Sequence, residues 1–294
     1  MKKVVVVVLL LLVLPATAFP QSTLWTVASE QGEIYLGGSI HLLREGDYPL
    51  PREFEFAYAE AEHLMFEADI AADDGVLQQA VLEHGLLPPG RTLADELSPE
   101  VHADLTAWVR QRGIRFDDLQ RLRPWLLTLT LSVMELEARG FSSEKGLDQH
   151  LEDRARADGK PVSFLETAMD QIEALSALDG EIPDVLVLQF LRDMEIVEDM
   201  LDGLIRAWRG GDLEQLEEIV TREIRETGPE AWEALMVNRN RAWLPAIEAA
   251  VDSGTTKFVV VGAGHLVGEG NLRDLLEARG YRVERLEVEA IPAD

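Results

Sequence analysis

Two stretches of the chain share one pattern of apolar and glycine positions. Ile34-Tyr35-Leu36-Gly37-Gly38-Ser39-Ile40-His41-Leu42 and Phe258-Val259-Val260-Val261-Gly262-Ala263-Gly264-His265-Leu266 each run from an apolar segment into glycine and on to a histidine. A continuous apolar run reads as a strand buried on both faces, and the glycines behind it let the backbone turn sharply. Gly38 therefore corresponds to Gly262, and His41 to His265.

The segments that follow also correspond. After His41 come a loop with two prolines, an amphipathic helix expected from Arg52 to Glu62, and an apolar strand at Leu64-Met65-Phe66. After His265 come Val267-Gly268-Glu269-Gly270, a helix expected from Asn271 to Arg279, Gly280 as its stop, and an alternating strand from Tyr281 to Val288. Each half reads as strand, Gly-x-x-His turn, helix, strand.

The region between the halves is mostly helical by its periodicity. Ser98-Pro99, Arg123-Pro124, Pro183 and Gly228-Pro229 are helix starts, and the helix from Pro183 to Trp208 carries Val187, Phe190, Met194, Val197 and Leu201 at helical spacing. Val162-Ser163-Phe164-Leu165 is one further strand candidate. The expected fold class is α/β: a duplicated βαβ core sheet formed by residues 24–70 and 255–290, with a large helical insert over 71–254, all within one domain spanning 19–294. Open α/β sheets place ligands beyond the carboxyl ends of their strands, so both histidines are expected at one crevice.

Composition narrows the setting. Residues 1–18 have the layout of a signal peptide: Lys2 and Lys3, an apolar run from Val4 to Leu14, and the small-residue site Ala16-Thr17-Ala18. That run is well short of the ~20 residues needed to span a bilayer. The expectation is an exported chain, periplasmic or secreted, starting at Phe19 and with no membrane span after signal removal. With no cysteine the chain is neither lipid-anchored through a thiol nor disulfide-bonded, so its stability must come from its core. Against 54 acidic residues stand 27 basic ones, a balance that repels phosphate backbones and argues against nucleic acid or anionic lipid as a partner.

Of six histidines, His63, His84, His102 and His150 fall on predicted helices or a helix edge among charged neighbours and read as solvated. His41 and His265 each follow a buried strand and a glycine turn, which aims a side chain at a crevice. Glu67 ends the apolar run Leu64-Met65-Phe66, where a carboxylate is costly unless paired or bound, and Asp69 is its nearby rival. Two histidines and a carboxylate are a common catalytic metal set with an open position for water. Glu166, at the end of the third strand candidate, is a second carboxylate. Arg239, in Asn238-Arg239-Asn240, sits on a helix whose other face is apolar, and a guanidinium turned inward there would hold a substrate carboxylate or stabilise developing negative charge. There is no His-Glu-x-x-His, no phosphate loop of the Walker type and no Gly-x-Ser-x-Gly elbow.

On these residues the chain resembles the TraB/GumN family, whose relatives include the pheromone-shutdown proteins and the Tiki metalloproteases that inactivate Wnt proteins. The resemblance rests on Tyr35-Leu36-Gly37-Gly38-Ser39-Ile40-His41 with Glu67, on Gly146-Leu147-Asp148, on Gly159-Lys160-Pro161 with Leu165-Glu166-Thr167 and Gln171, on Arg239-Asn240, and on Val261-Gly262-Ala263-Gly264-His265. It implies a metal-dependent hydrolase, peptidase-like in the Tiki branch, with manganese or cobalt as the ion and zinc as an alternative. Carried over, His41, Glu67 and His265 become metal ligands or acid–base groups and Arg239 their polar partner, with Gly38, Glu166, Asn240 and Gly262 around them. The expected partner is a peptide or protein substrate. Two rival readings are a non-catalytic exported protein that binds a metal or haem in the same crevice, and an interaction module in which the Gly-x-x-His turns are purely structural.

Overall fold

A computed structural model describes residues 22–69, 75–179, 183–222 and 228–288, so the expected signal peptide lies outside the described residues. Six strands form one mixed sheet: β1 (Leu24–Ala28), β2 (Glu33–Ser39), β3 (His63–Phe66), β4 (Val162–Phe164), β5 (Lys257–Gly262) and β6 (Arg282–Arg285), in the order β4-β3-β5-β2-β1-β6. β2 and β5 are parallel neighbours, with Gly38 opposite Val261 and Ser39 opposite Gly262. β3 pairs parallel with both β5 and β4. Only β1 runs against the rest, as the partner of β2 on one side and β6 on the other.

The duplicated βαβ reading holds in this sheet. In the first half β2 leads through the helix Arg52–Glu60 to β3, and in the second β5 leads through the helix Leu272–Ala278 to β6. The two connections cover opposite faces. Phe54, Ala57 and Tyr58 of the first helix pack with Tyr35, Phe258 and Val260, whereas Leu272 and Leu276 of the second pack with Leu36, Val259 and Val261. Phe258 through Val261 are at most 1% exposed, so β5 is buried on both sides, which is why it reads as an unbroken apolar run. Loops leaving β2 and β5 for opposite faces leave a crevice between them at the carboxyl ends.

The helical insert covers the first face through the helices Leu147–Asp158 and Pro183–Gly210, with Trp208 against Phe54. The helix Asn238–Val251 covers the second, through Trp243, Leu244 and Ile247. A π-helical turn at Glu233–Val237 precedes it, where the sequence pattern suggests an uninterrupted helix from Pro229.

Two expectations are corrected. β1 is an additional strand that the duplicated pattern does not contain, and by pairing with β2 it pushes β6 to the sheet edge, while β3 lies directly beside β5. The four histidines expected to be solvated are all half-buried, and His63 opens a strand, not a helix. His63 Nε2 meets Ser163 Oγ at 2.8 Å, while the His150 and His102 rings lie edge-on to Tyr48 and Phe116. Charged neighbours in sequence did not keep these rings in water, because an imidazole packs its apolar edge as readily as it exposes its nitrogens.

Candidate functional site

Four consecutive parallel strands deliver one group each to the same edge of the sheet. Glu166 follows β4, Glu67 follows β3, His265 follows β5 and His41 follows β2. The β4 end is tied to the β3 end by backbone bonds from Leu165 and Glu166 to the Glu67 carbonyl, at 3.0 and 2.9 Å, which sets the two glutamates side by side. A Cβ placed on Gly262 would lie 3.2 Å from both Glu67 Oε1 and His41 Nε2, and 3.7 Å from His265 Cδ2. Three side chains drawn from two ends of the chain thus converge on one α-carbon, and glycine there leaves the space between them open.

Arg239 joins the two carboxylates. Its Nη2 donates to Glu67 Oε2 and to Glu166 Oε1, both at 2.6 Å, and its Nε donates to Glu166 at 3.0 and 3.1 Å. Nη1 donates to the Leu235 carbonyl, in the π-helical turn, at 3.1 Å, and meets His265 Nε2 at 3.2 Å. A guanidinium has five N–H groups, and here each has an acceptor. Arg239 is thereby spent on the protein itself. Its charge acts on Glu67, Glu166 and His265.

Glu67 also accepts the Gly262 amide at 2.6 Å and the Gln171 amide at 3.3 Å. Burial raises its proton affinity, but His265, Arg239, His41 and the Gly262 amide outweigh that and take its pKa down to about 2. Glu166 is shifted the other way: burial raises its pKa against the pull of Arg239, and Trp243 Nε1 donates to it at 3.0 Å.

The two histidines are held by different partners. Asn240 Nδ2 donates to the Gly270 carbonyl at 2.9 Å, so its Oδ1 is left to accept from His265 Nδ1 at 2.6 Å. His265 consequently carries its hydrogen on Nδ1, and its Nε2 lone pair faces Arg239. Burial, with the Trp243 ring centroid at 4.5 Å, pushes its pKa down to about 3, against the pull of Glu67. His41 instead sets Nδ1 3.1 Å from Asp148 Oδ1, and Asp148 raises its pKa to about 9.

Glu67 Oε2 and His265 Nε2, two of the atoms a divalent ion would need, both take hydrogen bonds from Arg239. No group of three metal-ligating side chains is gathered for an ion among the described residues. As arranged, the cluster fits a guanidinium and not an ion.

Of the sequence-predicted residues, His41, Glu67, Glu166, Arg239, Asn240, Gly262 and His265 come together here. Gly38 sits one layer below, where a Cβ would lie 3.1 Å from the Ala263 Cα and leave the turn before His265 no room. Asp69, the rival to Glu67, is instead 3.3 Å from Arg156, in the last turn of the Leu147–Asp158 helix. Trp243 and Asp148 were given no role from the sequence. The indole spacing four residues after Arg239 is a usable signal, because it places the ring on the arginine's own helix face, and Arg239 lies over that ring at 4.8 Å.

The chain is 26% identical to the uncharacterised protein YbaP of Escherichia coli (strain K12), across 82% of this chain and 87% of that one. It is 23% identical to the metalloprotease TIKI homolog of Nematostella vectensis, across 91% of this chain and 68% of the relative, and 24% identical to metalloprotease TIKI1 of Danio rerio, across 90% and 63%. No solved structure matches. The model of the TraB/PrgY/gumN family matches residues 23–285, nearly the whole described chain, with both Gly-x-x-His turns, Glu67 and Arg239 inside it. The chain belongs to the TraB/PrgY/gumN family.

Proposed function

We propose that this chain is an exported, peptidase-like hydrolase whose reaction centre is the crevice at the carboxyl ends of β2, β5 and β3. The observation that carries the reading is the convergence of His41 Nε2, Glu67 Oε1 and the His265 ring on the space above Gly262. Distant relatedness to proteins named metalloproteases supports a peptide bond as the target class. The cavity beside this space, on the His41 and Glu67 side, is small, about 60 Å³, and is bounded by Ser39, His41, Glu67, Asp148, Gln149 and Gln171. That is well below the roughly 300–1,000 Å³ that encloses a small-molecule ligand, so it suits one bond of an extended chain lying across the opening.

In this reading His41, with Nδ1–H on Asp148 and Nε2 turned to the crevice, exchanges a proton with the reacting group. Glu67, kept ionised by Arg239 and the Gly262 amide, orients the attacking water through Oε1. His265 stays neutral and fixes the position of Arg239. The layout of residues 1–18 supports export.

The test is incubation of the mature protein, from Phe19, with a quenched-fluorescent peptide library, in three arms: with chelator, with Mn²⁺ and with Co²⁺. Cleavage by the wild type, lost in His41→Ala and Glu67→Gln, is the expected result. Dependence of that cleavage on Mn²⁺ or Co²⁺ would show that Arg239 yields its place to an ion during turnover. A wild type inert in every arm would overturn the proposal.

A further inference from the structure

The Gly146-Leu147-Asp148 segment is built against the first histidine. A Cβ on Gly146 would lie 2.2 Å from the His41 carbonyl oxygen and 2.8 Å from its carbon, so only glycine lets the two backbones meet. Leu147 donates its amide to the Ile40 carbonyl at 3.0 Å and is fully buried. Ser142 and Leu43 exchange backbone bonds at 3.0 and 3.4 Å, and Tyr48 Oη donates to the Lys145 carbonyl at 2.7 Å. Close approach, anchor and stitching together bring Asp148 to His41, across 107 residues of sequence.

We infer that Asp148 is the positioning residue of His41: its carboxylate holds the hydrogen on Nδ1 and turns Nε2 into the crevice. A carboxylate only accepts, so the nitrogen facing Asp148 must be the protonated one, and the nitrogen facing Gly262 is the one available for exchange. The other charged groups acting on His41 are Glu67, from the end of β3, and Arg239, from the helix Asn238–Val251. Neither is recorded in a hydrogen bond with His41, so Asp148 alone sets the ring orientation among the described residues. The inference rests on the proposed hydrolysis for its consequence in turnover, but not for its geometry.

The experiment compares wild type, Asp148→Asn and Gly146→Ala by two readouts. Asp148→Asn keeps size and packing but can present an N–H to Nδ1, which reverses the ring's hydrogen. A long-range ¹H–¹⁵N spectrum of the full mature chain should show a slowly exchanging His41 Nδ1–H in the wild type and none in Asp148→Asn. Peptide kcat should fall about 10–100-fold with KM within about twofold, the range typical of orienting carboxylates. Gly146→Ala, which keeps Asp148 in the chain but forces its segment away from His41, should lose the same resonance. An Nδ1–H signal retained in Asp148→Asn, or kcat unchanged there, would overturn the inference. If the wild type proves inert on peptides, the spectrum still decides the geometry, so failure of the hydrolase reading and failure of this one give different results.

Discussion

His41 and His265 follow the same glycine turn on neighbouring parallel strands, yet the His41 side chain is 58% exposed against a carboxylate and the His265 side chain is 4% exposed against an amide and an indole. The Gly-x-x-His pattern places the two rings at corresponding strand ends, and the helices between the halves make their surroundings different. Asp148 reaches the first from the Leu147–Asp158 helix, whereas Asn240, Trp243 and Arg239 reach the second from the Asn238–Val251 helix. A pair of titratable groups pushed apart by their surroundings is what acid–base division of labour requires. The lesson is that the repeated motif fixes where the rings stand, and the unrepeated helices fix what each ring can do.

The largest break in this contrast is expected from Arg239→Ala. It leaves Glu67 and Glu166 buried side by side without their shared cation, and removing one member of a buried charge cluster costs about 3–5 kcal/mol. Thermal unfolding should begin roughly 6–20 °C lower, at 2–4 °C per kcal/mol for a chain of this class. An unchanged Tm would mean that the three groups are not buried together in solution.

Next in size is the difference between the two alanine variants. His265→Ala removes a buried ring with its Asn240 bond and Trp243 contact, and should lower stability by about 2–3 kcal/mol. His41→Ala, at a mostly solvent-facing position, should cost less than His265→Ala at pH 7, because solvent screens its pairing with Asp148. Urea unfolding separates the two, and equal losses would contradict the assigned environments.

Stability against pH should show both pulls. His265, depressed to about 3 from 6.5, contributes stability that is present above 6.5 and lost as pH falls toward 3, because the unfolded chain takes up the proton first. Glu67, depressed to about 2 from 4.5, adds a loss of the same sign below pH 4.5. His41, raised to about 9, contributes stability that is present below 6.5 and lost as pH rises through 9. The denaturation midpoint should therefore peak near neutral pH, with the acid side flattened in His265→Ala and the alkaline side flattened in His41→Ala.

A narrower change is expected from Asn240→Asp, which gives His265 a carboxylate like that facing His41 but sets an oxygen against the Gly270 carbonyl where the amide N–H now donates. The His265 pKa should rise in an NMR titration while stability at pH 7 falls by about 1–3 kcal/mol. A His265 that titrates as in the wild type would show that burial, and not its partner, governs it.

Much of this was legible in the sequence. Both Gly-x-x-His turns, Glu67 after its apolar strand and Arg239 on its half-apolar helix announced themselves by local pattern, and they do share one edge of the sheet. What was not legible depends on pairing at a distance. β1 reads as a short apolar segment until β2 and β6 are placed on either side of it. Asp148 looks like an ordinary first-turn acid until the Gly146 backbone meets His41. The opposite protonation of the two histidines follows from helices that lie far from each of them in sequence.

The most direct test of the central claim is a double-mutant cycle on peptide hydrolysis, with His41→Ala, His265→Ala and the pair together. One shared reaction centre predicts non-additive losses, each single variant falling nearly as far as the double. Losses that multiply independently, or a double variant that still turns over, would contradict it.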